Sequence, residues 1–167
     1  MPLILNNHIP EVVMKVARYA IVASQFNQII TDALLNGALE RFAELNIAEE
    51  NVTVVKVPGA VEIPLTAQLL AKTNKYQAII CLGAVIRGDT SHYDYVCEQV
   101  SQGCQRVMLD YDIPVIFGVL TTENEAQAQE RVGGKEGHKG KDAVDTAIAM
   151  VSVVDQITQS TNSIGYY

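Results

Sequence analysis

The sequence predicts an α/β protein, a three-layer sandwich of helices on both faces of a parallel sheet, and three observations carry that expectation. Continuous apolar runs at Tyr19-Ala20-Ile21-Val22-Ala23, Ala78 to Ile86 and Val115 to Leu120 have the pattern of strands covered on both faces. A β-branched run, Val52 to Val57, supplies a fourth strand. Between the runs, apolar residues return at three-to-four spacing, the period of a helix with one buried stripe. Strand and helix in that rhythm imply right-handed crossovers.

Taken in order, residues 1–16 stand apart as an N-terminal arm, because Asn6-Asn7-His8-Ile9-Pro10 interrupts any regular element. Pro10 admits only a coil or edge-strand role. A domain over residues 17–158 follows. Its first strand leads to a helix marked by Ile30, Leu34, Ala38, Phe42 and Leu45. After the second strand, Pro58-Gly59 makes a turn, and Pro64 fits only the first turn of a helix. The third strand precedes a helix with Tyr93, Val96, Val100, Cys104 and Val107 on its inner face. The fourth leads to a short helix, a glycine-rich turn, and a last helix carrying Val144, Ala147, Ile148, Val151 and Val154. The polar residues from Thr158 onward predict a frayed tail over 159–167.

Composition narrows the class. A chain of 167 residues suits one domain, and 49% hydrophobic against 19% charged residues excludes intrinsic disorder. The apolar runs are too short to cross a bilayer as helices, and Met1-Pro2-Leu3-Ile4-Leu5 lacks the basic leader of a signal peptide. Three cysteines, Cys81, Cys97 and Cys104, read as free thiols of a cytoplasmic protein. A net charge of −7 and pI about 4.9 argue against a nucleic-acid surface. Mean hydropathy is +0.13, which predicts apolar surface buried against copies of the same chain.

Ligands of open α/β sheets gather at the carboxyl ends of the strands, so the residues that follow each strand are the candidates. After the first comes Ser24-Gln25-Phe26-Asn27, without the glycines or hydroxyls of a phosphate loop. Phe26 either staples the next helix or offers a stacking face to a planar ring. After the second, backbone N–H groups of Ala60, Val61 and Glu62 open a helix and can meet ligand acceptors. Glu62 either complements the helix dipole or accepts hydrogen bonds from ligand hydroxyls. After the third, Gly88-Asp89-Thr90-Ser91-His92 combines a turn, capping side chains and a helix start, which together suit phosphate. His92 sits beside that anion site as the candidate proton-transfer group. After the fourth, the segment Arg131 to Lys141 concentrates basic residues in an acidic protein. Lys135 and Lys141 read as a solvated turn, whereas the Arg131 guanidinium can clamp phosphate in a bidentate way. This inventory suits condensation or elimination on a phosphorylated carbonyl compound beside a stacked planar partner.

The chain resembles the lumazine synthases of riboflavin biosynthesis from about Tyr19 to Ile157. The resemblance rests on Ser24-Gln25-Phe26-Asn27, Pro58-Gly59-Ala60-Val61-Glu62-Ile63-Pro64, Gly83 to His92, Pro114 to Asn124, Glu130-Arg131 and Gly137-His138-Lys139-Gly140, in that order. It implies a flavodoxin-like sandwich with a four-stranded parallel sheet. It also implies condensation of 5-amino-6-(D-ribitylamino)uracil with 3,4-dihydroxy-2-butanone 4-phosphate to 6,7-dimethyl-8-ribityllumazine, phosphate and water, without cofactor or metal. By the same resemblance Phe26 stacks on the pyrimidine, Ala60, Val61 and Glu62 hold the ribityl chain and ring edge, and Ala84, Val85 and Ile86 offer backbone groups. Asp89 and Thr90 receive phosphate, His92 moves protons, Arg131 neutralises phosphate with Lys139 nearby, and Phe117 reaches in from a neighbouring subunit. Val61 stands where several members carry an aromatic, and Asp89 where others have a small residue, which suggests that Asp89 caps the helix. Implied partners are further copies, as a pentamer and an icosahedral shell of sixty chains favoured by the compact Gly133 to Gly140 turn, and riboflavin synthase. The competing readings are a flavodoxin-like flavin carrier and a shell protein without catalysis.

Overall fold

The computed structural model describes residues 1–164, and the arm at its start ends in a short helix, α1 (Glu11–Val16). Pro10 occupies the N-cap of α1 in extended conformation, a role the sequence reading did not assign to it. A proline suits a helix entry because its missing N–H would have no intrahelical partner there. Lys15 pairs with Glu11 one turn away at 2.6 Å.

Four parallel strands, β1 (Tyr19–Ser24), β2 (Val52–Val57), β3 (Ala78–Ile86) and β4 (Val115–Thr122), form one sheet in the order β2-β1-β3-β4. Tyr19 stands opposite Val52 on one side and Ala78 on the other, and Ile79 opposite Val115. Helices α2 (Gln28–Glu44) and α6 (Lys139–Ile164) cover one face, and α3 (Ile63–Lys72) with α4 (His92–Tyr111) cover the other. Because side chains alternate along a strand, Tyr19, Ile21, Ile80 and Leu82 pack toward α2 and α6, whereas Ala20, Val22, Ile79 and Cys81 pack toward α3 and α4. This is the predicted flavodoxin-like sandwich.

Small residues set the spacing between neighbouring helices within each layer. A Cβ at Gly140 would overlap the Leu34 carbonyl of α2, and one at Gly103 would stand 2.6 Å from the Pro64 ring of α3. The Tyr19 and Phe42 rings meet at 5.0 Å between sheet and α2. Cys81, Cys97 and Cys104 are free thiols. The hydrogen bond between Cys81 and Cys104, together with burial, holds the Cys81 thiol well above its ordinary range.

Beyond β4, Asn124 caps helix α5 (Glu125–Gln129) by accepting from the Gln127 N–H at 2.8 Å. The segment read as a glycine-rich turn is a small antiparallel hairpin of β5 (Val132–Gly134) and β6 (Gly137–His138). Gly133 and Gly137 take φ of +109° and +79°, which glycine adopts without strain. Helix α6 continues past Thr158 to Ile164, into the segment read as a tail, since no proline or glycine follows Gly140 before that point. Residues 165–167 of that expected tail lie outside the described residues. No helix of the described residues is long and apolar enough to cross a membrane.

Candidate active site

The chain reverses its direction of progress across the sheet between β1 and β3. Strand β1 leads through α2 to β2, and α3 then carries the chain back past β1 to β3. The loops leaving β1 and β3 diverge at that switch, which opens a crevice at their carboxyl ends. A cavity of about 400 Å³ fills it.

Phe26 forms one wall. The Gln25 and Phe26 N–H groups donate to the carbonyls of Val57 and Pro58 at 2.9 and 3.0 Å, so the β1–β2 ladder continues past the strand ends. The backbone is held while the ring stays 71% exposed. A ring so exposed does not act as a staple packed against the helix. Asn27 follows in left-handed conformation, φ +61°, and its Nδ2 donates to the Ala84 carbonyl at 2.9 Å. Ala84, Val85 and Ile86 form the floor.

Ala60–Glu62 makes a single 3₁₀ turn beside Phe26. The Glu62 N–H donates to the Gly59 carbonyl at 3.2 Å, so of the N–H groups expected to be free only those of Ala60 and Val61 open the turn. The Glu62 carboxylate is exposed at the cavity rim.

Gly88, Thr90, His92, Tyr93 and Val96 form the opposite wall. Ser91 is the N-cap of α4, and no side chain closes that cap. Thr90 Oγ1 instead accepts from the His92 backbone N–H at 3.3 Å, which holds its hydroxyl at the first turn of α4. Asp89 does not take the capping role suggested for it. It is exposed and absent from the cavity wall. Partial burial raises the titration of both the Tyr93 phenol and the Cys97 thiol, so neither supplies an anionic base near neutral pH.

The remaining candidates lie elsewhere. A second concavity of about 590 Å³ runs along the free edge of β4 and gathers Phe117, Arg131 and Lys139 between Met108 and Met150. Phe117 is 43% exposed there. Arg131 Nη1 donates to the Gln127 carbonyl at 2.9 Å, which fixes the direction of its half-buried side chain. Lys139 lies 3.7 Å from Asp142. Lys141, read as solvated, reaches Glu44 at 2.9 Å and Glu40 at 3.4 Å and ties α6 to α2. The basic segment is therefore divided between a structural contact and the β4 edge. Within one chain the structure brings Phe26, the Ala60 to Glu62 turn, the Ala84 to Ile86 floor, Thr90 and His92 together, and keeps Phe117, Arg131 and Lys139 apart from them.

Sequence reasoning did not find Asn27 as a site residue, and it placed Tyr93 and Val96 in the core. Both of the latter are half-buried and serve core and cavity wall at once. An asparagine directly before a helix, where αL conformation is tolerated, was the available signal for Asn27.

Sheet order and the crevice at its switch point define a flavodoxin-like α/β protein with a ligand-sized cavity at the carboxyl ends of its strands. A model of the 6,7-dimethyl-8-ribityllumazine synthase family matches residues 16–155. The 6,7-dimethyl-8-ribityllumazine synthase of Coxiella burnetii (strain Dugway 5J108-111) is 56% identical over 140 residues, 84% of this chain and 93% of the relative. Those of strains CbuG_Q212 and RSA 493 / Nine Mile phase I are 55% identical over the same shares. The chain belongs to the 6,7-dimethyl-8-ribityllumazine synthase family and is an enzyme of riboflavin biosynthesis.

Proposed function

We propose that the chain condenses 5-amino-6-(D-ribitylamino)uracil with 3,4-dihydroxy-2-butanone 4-phosphate in sites shared between two copies. The observation that carries this reading is the division of the candidate residues between two concavities, neither complete alone. The switch-point cavity has a ring platform and a proton carrier but no cation on its wall, while the β4 edge has Phe117, Arg131 and Lys139. Strand β4 also presents unpaired backbone groups along its outer edge, which a neighbouring chain can cover.

In this reading Phe26 stacks on the pyrimidine, and the Ala84 to Ile86 main chain meets its polar edge. Glu62 accepts hydrogen bonds from the ribityl hydroxyls. Phosphate lies at the start of α4 against the Thr90 hydroxyl, where the helix dipole favours an anion. The neighbour's Arg131 completes its neutralisation, and the neighbour's Phe117 covers the ring.

His92 takes the proton released when the 5-amino group attacks the ketone and delivers it to the carbinolamine oxygen, which leaves as water to give the imine. It then removes the proton from C3 as the C4–O bond breaks and phosphate departs. Elimination leaves an enol between C3 and C4, which takes a proton at C4 to give a methyl group and a C3 ketone. The ribitylamino nitrogen closes the second ring on that ketone, and a second water is lost. Positioned proton transfer contributes roughly 10²–10⁴-fold. The free thiols suit a reducing cytoplasm. The tight Lys135-Glu136 turn between β5 and β6 supports assembly of pentamers into a shell, which sedimentation reads directly.

The test is complementation. His92→Ala and Arg131→Ala variants are each expected to be nearly inactive. Dissociated, mixed and reassembled, they should regain up to about a quarter of wild-type lumazine formation, because some shared sites then contain both native residues. No recovery in demonstrably mixed assemblies would refute a site shared between copies.

A further inference from the structure

The loop that carries Thr90 and His92 leaves β3 immediately after a fixed point. The Arg87 N–H donates to the Thr122 carbonyl at 2.9 Å, a rung joining the ends of β3 and β4. The two strands part there. Past this rung the Arg87 side chain takes over the connection. Its Nε donates to Glu123 at 2.6 Å, just beyond β4, and its Nη2 to Asp94 at 3.4 Å in the first turn of α4. Its guanidinium carbon also lies 4.2 Å from the centre of the Tyr93 ring, which is itself part of the cavity wall next to His92.

Two simpler roles do not fit these contacts. Arg87 is not a further phosphate ligand, since it lines neither concavity and already faces two carboxylates, so the group carries net negative charge. Nor is it chiefly a source of stability, because exposed ion pairs contribute little. What the contacts do is geometric. A planar fork that holds two carboxylates and lies over a ring fixes the relative placement of the end of β4, the loop and the start of α4.

We propose that Arg87 is a positioning residue for the lumazine-forming reaction: by joining Glu123, Asp94 and the Tyr93 ring it fixes where the His92 imidazole and the Thr90 hydroxyl stand in the cavity. The inference rests on the reading of that cavity as the catalytic site. Small misplacement of a catalytic group costs up to about 10²-fold in rate. Lysine, a point charge without the fork, does not restore the arrangement.

The experiment uses the assembled full-length chain and four variants: Arg87→Ala, Arg87→Lys, Glu123→Gln, and Arg87→Ala combined with His92→Ala. Arg87→Ala is expected to lower kcat about ten- to a hundred-fold while the Kd of the pyrimidine, titrated alone, stays within about two-fold. Arg87→Lys should recover little of that loss. In the His92→Ala background the same Arg87→Ala change should cost several-fold less, because the part of the effect exerted through His92 vanishes with it and only the part through Thr90 remains. Glu123→Gln, nearly isosteric, should show the same pattern with a smaller fall, and it answers the question if Arg87→Ala does not fold. An unchanged kcat in a folded variant, or an equal loss in both backgrounds, would overturn the proposal while leaving the catalytic reading intact. A wild-type rate no greater than the spontaneous one would overturn both.

Discussion

Asn27 Nδ2 and the Ala84 carbonyl, 2.9 Å apart, tie the loop after β1 to the floor of the crevice formed by β3. The left-handed backbone of Asn27 turns its side chain across the crevice instead of toward the N–H groups of α2, whose N-cap has no side-chain hydrogen bond. A cap of that kind is typically worth about 1 kcal/mol. Helix α2 forgoes it, and the loop next to Phe26 gains a fixed position.

Asn27→Gly keeps the left-handed conformation and removes only this bond. Loss of one hydrogen bond worth about 1 kcal/mol predicts roughly a five-fold rise in KM for the pyrimidine. The KM for the butanone phosphate should not change, since the Thr90 loop is untouched. Steady-state kinetics with each substrate varied in turn distinguishes the two, and a rise confined to the phosphate substrate would contradict the assignment of the floor.

Arg131→Lys keeps the charge and loses the fork. The expected result is weaker saturation by the butanone phosphate, about ten-fold in KM, which corresponds to roughly 1.4 kcal/mol. Pyrimidine binding measured by titration should be preserved. Saturation indistinguishable from wild type would remove Arg131 from the phosphate site.

Gly140→Ala places a methyl group against the Leu34 carbonyl, where the obstacle is backbone and cannot rotate away. Overpacking of this kind typically costs about 1–3 kcal/mol, so the urea midpoint should fall clearly. Gly88→Ala is the comparison, because a Cβ there meets nothing within 4 Å. Its unfolding free energy should stay within about 0.5 kcal/mol of wild type. Equal effects at the two positions would refute the close approach of α6 to α2.

Tyr19 makes stability depend on alkaline pH. Its phenol is fully buried and donates to the Met14 carbonyl at 2.9 Å, and burial pushes its titration from 10.0 up to about 12. Below pH 10 the folded and unfolded chains both keep the proton, and the contribution is fully present. As pH rises from 10 toward 12 the unfolded chain ionises first, so stability falls, by up to about 3 kcal/mol from this group. Urea midpoints at pH 8 and 11.5 should therefore fall further for wild type than for Tyr19→Phe. Parallel falls in the two proteins would show that Tyr19 is not held neutral.

Local patterns in the sequence determined the four strands, the helices between them and the loops at the carboxyl ends, because strand and helix periods and the turn at Pro58-Gly59 are properties of neighbouring residues. Phe26, Thr90 and His92 were legible for the same reason, lying just past the ends of apolar runs. Helix α1 and the β5–β6 hairpin were not legible, since one is only six residues long and the other pairs mainly glycines. Only the tertiary structure decided that Arg131 and Lys139 lie with Phe117 along β4, away from the switch-point cavity. Cys81 and Phe117 are register partners in two equally apolar runs, yet Cys81 is fully buried and Phe117 is 43% exposed. The difference is that β3 lies inside the sheet and β4 at its edge. Strand order is set by how helices from distant parts of the chain pack on both faces, and no local pattern contains it.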